Sequence, residues 1–427
     1  MREPLTRVLD RLQAVSDRPM FHEFLRFGGS TLAVQATRVG AALVVAGMVG
    51  PAAWGTWYLL NLIVAYGSLT HLGALNGLNR EVPAALGRGK PDEAVAIQTN
   101  ALGMTLLGTG SVTAAFLLIV TVMPLPFSLL DVVLVLALLW GNQLFGFVSI
   151  SLKSTTRFTA LSRLQLLSSV VFPVLAIAGA WCAGLQGFIA GQVFVFTSVT
   201  FIGWRFVGIA FEPRLDWQRV RSLIRIGFPI MLVGLVYTLF TTVDRWVVTV
   251  FLGTESLGHY SLAIMAFGAV GLLPQVVAQQ YYPRVAHAWA ARADTAELRR
   301  LARQIRNMTL LVAAPVTAGA MLLLPPAVRA LLPEYEPGIS ALMITVFAPI
   351  VGAFGQGYGS VLHMLNRQVW LLGGIVVAAL VNLALSVSLV GPYGLAGVAI
   401  GSVVSFLVYA LARVALGAIA LRIEERH

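Results

Sequence analysis

Residues 49–57 read VGPAAWGTW, and residues 252–260 read LGTESLGHY. Each follows a long apolar run, and each has the form G-x-x-x-x-G-x-aromatic. Other pairs lie outward from them in the same order. LRFGG (Leu25 to Gly29) precedes the first copy as IRIGF (Ile224 to Phe228) precedes the second. Further on, GLQGFIAG (Gly184 to Gly191) matches GLAGVAIG (Gly394 to Gly401), and Arg157 and Arg367 take corresponding places ahead of them. Matched elements in one order imply that a unit of about two hundred residues was duplicated. The glycines have local reasons. Gly50 and Gly253 close an apolar run, where a left-handed C-cap suits glycine. Gly187 with Gly191, and Gly397 with Gly401, are small-xxx-small pairs that let helices touch.

The composition places this duplication in lipid. Of the 427 residues, 58% are hydrophobic and only 11% charged, whereas a soluble domain carries about a quarter charged residues. Crossing ~30 Å of hydrocarbon as a helix takes about 20 apolar residues. Runs of that kind occur at roughly 24–48, 54–79, 95–121, 127–150, 161–182, 185–209, 223–250, 257–283, 305–330, 338–364, 368–390 and 394–420. Short alternating strands of a membrane barrel do not fit runs this long. The predicted fold is an all-α polytopic membrane protein. Twelve transmembrane helices form two six-helix lobes around a central cavity. Six crossings return the chain to its starting side, so the repeat is parallel, about an axis along the membrane normal. The predicted divisions are a cytoplasmic or interfacial segment 1–22, an N-lobe 23–210, a linker 211–222 and a C-lobe 223–427.

The basic residues test this segmentation, because cytoplasmic flanks collect Lys and Arg. With the N-terminus inside, all 29 Lys and Arg fall on inside flanks except Arg329, outside, and Arg38 and Arg245, within spans. Arg413 is counted with the C-terminal flank. The net charge of +11 is thus spread along the inner leaflet, where anionic lipid attracts it, and nucleic acid is not an expected partner. The first twenty residues contain acids and no early apolar core. They read as a surface helix with Leu5, Val8, Leu9, Leu12 and Val15 on one face, or as a solvated arm, rather than as a cleavable signal. Residues 284–304 read as a second surface helix, with Asp294 and Glu297 as its capping box. Cys182 is the single cysteine, so no intrachain disulfide forms. The histidines lack metal-ligand spacing, and no phosphate-binding P-loop is present. No catalytic arrangement or cofactor is predicted.

IRIGFPI (Ile224 to Ile230), TTVDRW (Thr241 to Trp246), LGTESLGHY and YGLAG (Tyr393 to Gly397) resemble the polysaccharide and O-antigen flippases of the multidrug/oligosaccharidyl-lipid/polysaccharide exporter superfamily. The resemblance extends over nearly the whole chain. It implies a V-shaped cavity, alternating access, and translocation of an undecaprenyl-pyrophosphate-linked glycan across the bacterial inner membrane. The implied partners are that glycan lipid, the surrounding membrane lipids and a polysaccharide polymerase, with the chain itself a monomer and both termini cytoplasmic.

Against that background Arg38, mid-span, is a candidate for holding pyrophosphate. An arginine there costs roughly 2.5–3.5 kcal/mol on insertion scales and is by default functional, and guanidinium matches phosphate geometry. The alternative is an ion pair with Asp244. Arg245 is the second phosphate candidate and Arg80, near the cytoplasmic mouth, the third. Asp244 and Arg245 point ~100° apart, so one faces the cavity while the other meets a neighbouring helix. Gln35, Asn61, Gln275, Gln279, Gln356 and Tyr237 are candidate cavity groups for sugar, as are Gln143 and Asn382; helix–helix hydrogen bonding explains such residues equally well. The alternative function is a cation-coupled multidrug antiporter of the same superfamily. Those commonly carry a carboxylate in the first helix, whereas this first span holds Arg38 and no acid after Glu23. A glycosyltransferase would need catalytic acids and a larger outer loop. Relatives that flip the peptidoglycan precursor resemble fourteen-span proteins.

Overall fold

The structure, a computed structural model, describes residues 29–122, 127–208, 211–290, 295–365 and 367–425. Its helices are α1 (Gly29–Gly67), α2 (Ala74–Gly87), α3 (Pro91–Val122), α4 (Leu129–Ser154), α5 (Phe158–Val207), α6 (Trp217–Phe240) and α7 (Val243–Leu252). They continue as α8 (Thr254–Ala290), α9 (Thr295–Leu331), a 3-10 turn (Pro333–Gly338), α10 (Ile339–Thr345), α11 (Ala348–Met364) and α12 (Gln368–Glu424). No strand occurs among the described residues, and 9 helices there are long and apolar enough to cross a membrane. The protein is an all-helical, multi-pass membrane protein.

Three of those nine contain glycine breaks that join two runs apiece, which is how twelve runs of sequence become nine candidate spans. Backbone torsions leave the helical region at Gly50, Gly184 and Gly394. At two of them the chain doubles back. A straight helix would hold residues 175 and 191 about 24 Å apart, yet a Cβ on Gly191 would lie 2.6 Å from the Leu175 carbonyl oxygen. A Cβ on Gly187 would lie 2.6 Å from the Gly179 carbonyl carbon. In α12, Gly397 and Gly401 meet Leu389 and Ser386 in the same way. The small-xxx-small pairs therefore close hairpins within each half.

The duplication is written in the backbone. Gly50 (φ 77, ψ 168) and Gly253 (φ 86, ψ 172) share one conformation, and Gly184 (φ 57, ψ −138) and Gly394 (φ 54, ψ −134) share another. The expected left-handed cap at Gly50 and Gly253 is corrected here. φ is positive but ψ is extended, a region that side chains essentially forbid. The turns ahead of Arg157 and Arg367 also coincide, with Arg157 N–H donating to Leu152 O at 2.8 Å and Arg367 N–H to Leu362 O at 2.9 Å. Both arginine side chains then reach the far end of the helix they begin, Arg157 to the Phe206 carbonyl and Arg367 to Glu424.

The two opening motifs pack on each other. A Cβ on Gly55 would meet Gly258 N at 2.8 Å, and one on Gly258 would meet the Pro51 carbonyl carbon at 2.6 Å. Around this contact the buried side chains form one cluster drawn from both halves, including Trp54, Leu60, Phe188, Val248, Tyr260 and Leu342. At the opposite end the core divides. One cluster holds Leu78, Leu102, Phe147 and Leu164, and another holds Val285, Leu298, Val361 and Leu421. The molecule is fused at the glycine-turn end. At the other the core is split in two, and among the described residues the halves meet there only where α6 lies on α2 and the segment before it crosses.

A strap crosses the split. Residues 211–216 precede α6, which starts at Trp217 and not at 223 as predicted, because Asp216 caps it by accepting from Gln218 N–H at 3.0 Å. Arg214 N–H donates to Thr99 O at 3.1 Å, and Asp216 N–H to Asn100 Oδ1 at 2.7 Å. The first turns of α6 then lie on α2, where Cβ atoms on Gly73 and Gly77 would meet Gly227 O at 2.7 Å and Leu223 O at 2.5 Å. The surface helix expected over 284–304 is also corrected. Residues 284–290 end α8 and 295–304 begin α9; 291–294, Asp294 among them, lie outside the described residues, as does the N-terminal segment.

Candidate functional site

Three spans are interrupted among the described residues, at 68–73, at 241–242 and at 346–347, and the first two are linked across the halves. Between α1 and α2, residues 68–73 form turns. Between α6 and α7, Thr241 and Thr242 leave the helix. Broken backbone inside a membrane survives only where other groups satisfy it or where it lines a cavity. The threonines begin that work, Thr241 and Thr242 hydroxyls donating back to the Tyr237 and Thr238 carbonyls at 3.0 and 2.7 Å. A buried amide finishes it at each of these two breaks. Gln143 Nε2 donates to Gly67 O at 3.2 Å and lies within reach of the Thr70 and Thr109 hydroxyls. Asn382 Nδ2 donates to Phe240 O at 3.4 Å, with Ser386 donating to its Oδ1. These amides hold helix ends.

These two breaks are joined by an aromatic latch that residue-by-residue reading missed. Tyr66 Oη and Thr242 Oγ1 lie 2.6 Å apart, and Trp246 Nε1 donates to Tyr66 Oη at 2.9 Å. The Tyr66 and Trp246 rings stack with centroids 6.5 Å apart. One partner comes from each half. The TTVDRW stretch held the signal, but a tyrosine in an apolar run gives no sign of which strand of the fold it will meet.

Arg245 and Asp244 part company one turn further. Asp244 turns into its own half, accepting from Tyr260 Oη at 3.0 Å and from the Arg245 backbone N–H at 2.8 Å. The Arg245 guanidinium crosses to the other half and lies over the Tyr58 ring, 5.7 Å from its centroid. Arg38 lies against α5, donating to Ser168 Oγ at 3.3 Å with Phe172 beneath it. Neither arginine belongs to any ion pair among the described residues, and Nε of each is buried without a hydrogen-bond partner. The Arg38–Asp244 pair considered above does not form. Counting from the glycine turns at 1.5 Å per residue, Arg38 sits ~18 Å deep and Arg245 ~12 Å, close to mid-bilayer.

The other predicted residues scatter. Arg80 is exposed on α2. Gln35 and Asn61 are half-buried on α1, and Gln275 is exposed on α8, while the Gln279 side chain lies outside what is described. Tyr237 packs on Phe240 and Tyr409. Gln356 accepts from Arg413 at 3.0 Å. Arg413 keeps its place at the inner flank, 19 residues past the Gly394 turn or ~28 Å along its helix, yet it is not solvated there. It is buried within α12, and it went unnoticed because it lies within a dozen residues of the chain's basic end. Among the described residues no group of three His, Cys, Asp or Glu side chains is arranged for a metal.

The sequence matches the family described as polysaccharide biosynthesis protein over residues 101–335. No curated protein matches it. Several solved structures share the fold. A multidrug resistance MATE family transporter of the MOP superfamily, in an inward-facing conformation, aligns with a TM-score of 0.76 and 16% identity over 92% of this chain and 96% of its own. The lipid II flippase MurJ, in an inward closed conformation, gives 0.67 and 14% identity over 92% and 87%. A MOP superfamily transporter from Pyrococcus furiosus, for which a reverse polarity of the binding pocket is described, gives 0.65 and 15% over 91% and 92%. At such identities the likeness concerns the fold.

Proposed function

This chain belongs to the polysaccharide biosynthesis protein family, and on that premise we propose that it is a flippase for lipid-linked glycan. The substrate is a polyprenyl-pyrophosphate-linked oligosaccharide. It enters from the split end, its pyrophosphate drawn between the halves and its polyprenyl tail left in lipid. The halves, a 23–210 lobe and a 223–427 lobe, then rock about the Gly55–Gly258 joint until the other side opens. The cell membrane of a bacterium is the setting this reading requires.

One observation carries it: Arg38 and Arg245 sit near mid-bilayer outside any described ion pair, and the one buried carboxylate beside Arg245, Asp244, is turned away to Tyr260. A buried charge without a partner is costly, and a pyrophosphate would supply the missing counter-charge through charge-assisted bonds that are among the strongest available. The latch of Tyr66, Thr242 and Trp246 offers aromatic faces and hydroxyls of the kind sugars use. The antiporter reading draws no comparable support, because no acid stands near Arg38.

The test is export in a strain whose own flippase has been deleted. Arg38→Ala and Arg245→Ala, expressed and folded as wild type, are expected to lose surface glycan. Undiminished glycan in either variant removes that arginine from the mechanism, and undiminished glycan in both removes the reading.

A further inference from the structure

Arg413 is the most deeply buried cation described, and the proposed function does not use it. It stands on α12 at 9% exposure. Its guanidinium donates to Gln356 Oε1 at 3.0 Å and to the Gly352 carbonyl at 2.8 Å, and lies over the Tyr409 ring at 4.3 Å. A guanidinium has five N–H donors. Two are used, Nε is buried without a partner, and no described ion pair includes it. Beside it lies a cavity of about 240 Å³ lined by Arg413, Gln356, Tyr409, His363, Ser360 and Ala278, among others. By volume it has room for several waters or for one small anion.

The duplication indicates that this cavity is an addition. In the register set by Arg157 with Arg367 and Gly184 with Gly394, Arg413 corresponds to Gly203 and Gln356 to Gly146. In the first half the place is filled with hydrocarbon, since a Cβ on Gly203 would meet Val148 Cγ1 at 2.7 Å and Leu164 Cδ1 at 2.8 Å. Leu164 in turn corresponds to Gly374, whose nearest neighbours are Ala412, Leu416 and Tyr409 on the helix that carries Arg413. The second half has a glycine where its twin has Leu164, and has put a permanent charge, packed against Gly352, Gly355 and Gly359, where its twin is packed and apolar. Packing alone gives no reason for that exchange, because an arginine costs far more to bury than the leucine contacts it replaces.

We propose that the cavity beside Arg413 is an anion site that takes a phosphate group. Arg413 supplies the charge and the planar fork that suits phosphate oxygens, and Ser360 and His363 supply further donors from α11. The occupant is either free inorganic phosphate or the phosphate of an anionic lipid headgroup.

A cysteine placed in the lining reads occupancy locally. Ala278→Cys in a Cys182→Ser background leaves one thiol, because the chain has a single cysteine. Its labelling by a neutral maleimide is timed in discs of phosphatidylcholine, with inorganic phosphate against chloride at equal ionic strength. Saturating phosphate is expected to slow labelling at least fivefold, and adding Arg413→Met is expected to leave less than a twofold effect. Arg413→Gln, which keeps a donor for the Gly352 carbonyl, is the second variant should the first not fold, with the same expectation. In discs containing phosphatidylglycerol, slow labelling before phosphate is added identifies a lipid headgroup as the occupant; equal rates in both discs identify free phosphate. Absence of protection both by phosphate in phosphatidylcholine discs and by phosphatidylglycerol, or protection that survives loss of Arg413, overturns the proposal. Arg38→Ala keeps the protection, so failure of this site and failure of the flippase reading are separate results.

Discussion

Replacing Gly258 by alanine tests the joint between the halves. The added Cβ would stand 2.6 Å from the Pro51 carbonyl carbon, where carbons rest at about 3.5 Å or more, so α1 and α8 must part by about 1 Å. Neighbouring backbone cannot rotate away as a side chain can, and overpacking of this kind costs about 1–3 kcal/mol. Alanine's better helix propensity returns about 0.8–1 kcal/mol, so the clash must be judged against a glycine that lacks it. Gly268, on the same helix and exposed, has nothing within 4 Å of its would-be Cβ. Gly268→Ala is therefore expected to be neutral or slightly stabilising, and Gly258→Ala to lie on the order of 2 kcal/mol below it. Thermal unfolding of the two purified variants in one detergent measures the difference. If Gly258→Ala unfolds at or above the temperature of Gly268→Ala, the two motifs do not form a tight joint and the account of the fused end is wrong.

Two further outcomes follow from the breaks. Gln143→Leu strips the amide from Gly67 O, Thr70 and Thr109; leaving such groups unsatisfied costs about 1–3 kcal/mol, to be seen as a lower unfolding temperature together with lost glycan export. Tyr66→Phe keeps the stack on Trp246 but removes the hydroxyl shared with Thr242. It is expected to cost about 1 kcal/mol in thermal unfolding while the same variant in a Thr242→Val background costs little more, and additive losses would show that the bond does not couple the halves.

The duplication was readable because close backbone approach and positive φ both demand glycine, and each demand is satisfied by a single residue type wherever the chain turns. Gly50, Gly55, Gly184 and their later partners announce geometry directly. Polar residues within spans announce nothing so definite. Gln143 and Asn382 have the local pattern of cavity groups, yet they cap broken helices; an amide beside apolar residues looks alike whether it serves sugar or a carbonyl. The breaks themselves are invisible for the same reason, since Thr241 and Thr242 interrupt hydropathy no more than they would in an intact helix. Arg413 stands 19 residues past the Gly394 turn, ~28 Å along its helix, so it lies at the inner flank as its position in the chain suggests; what the sequence did not show is that it is buried there against α11. Arg38 and Arg245 were recognised because a charge far from either flank has no bland explanation.

The places where the two halves differ are the more informative about chemistry. Turns, hairpins and the arginines at 157 and 367 recur in register, and all of them are matters of folding. The departures are selective: the first half breaks its second run at 68–73, the second half breaks its first run at 241–242 and its fourth at 346–347, and the first two breaks are linked through Tyr66. The first half fills the place of Arg413 with Val148 and Leu164, and the second leaves it open and charged. A duplicated scaffold drifting without selection would accumulate apolar exchanges within its spans, because those cost least in lipid. What has accumulated instead is irregular backbone and unneutralised cation, each expensive there, and each concentrated in or beside the space between the halves or in one half alone. Features that cost stability and appear in only one copy are the ones that packing does not require, and in this chain they favour negative charge.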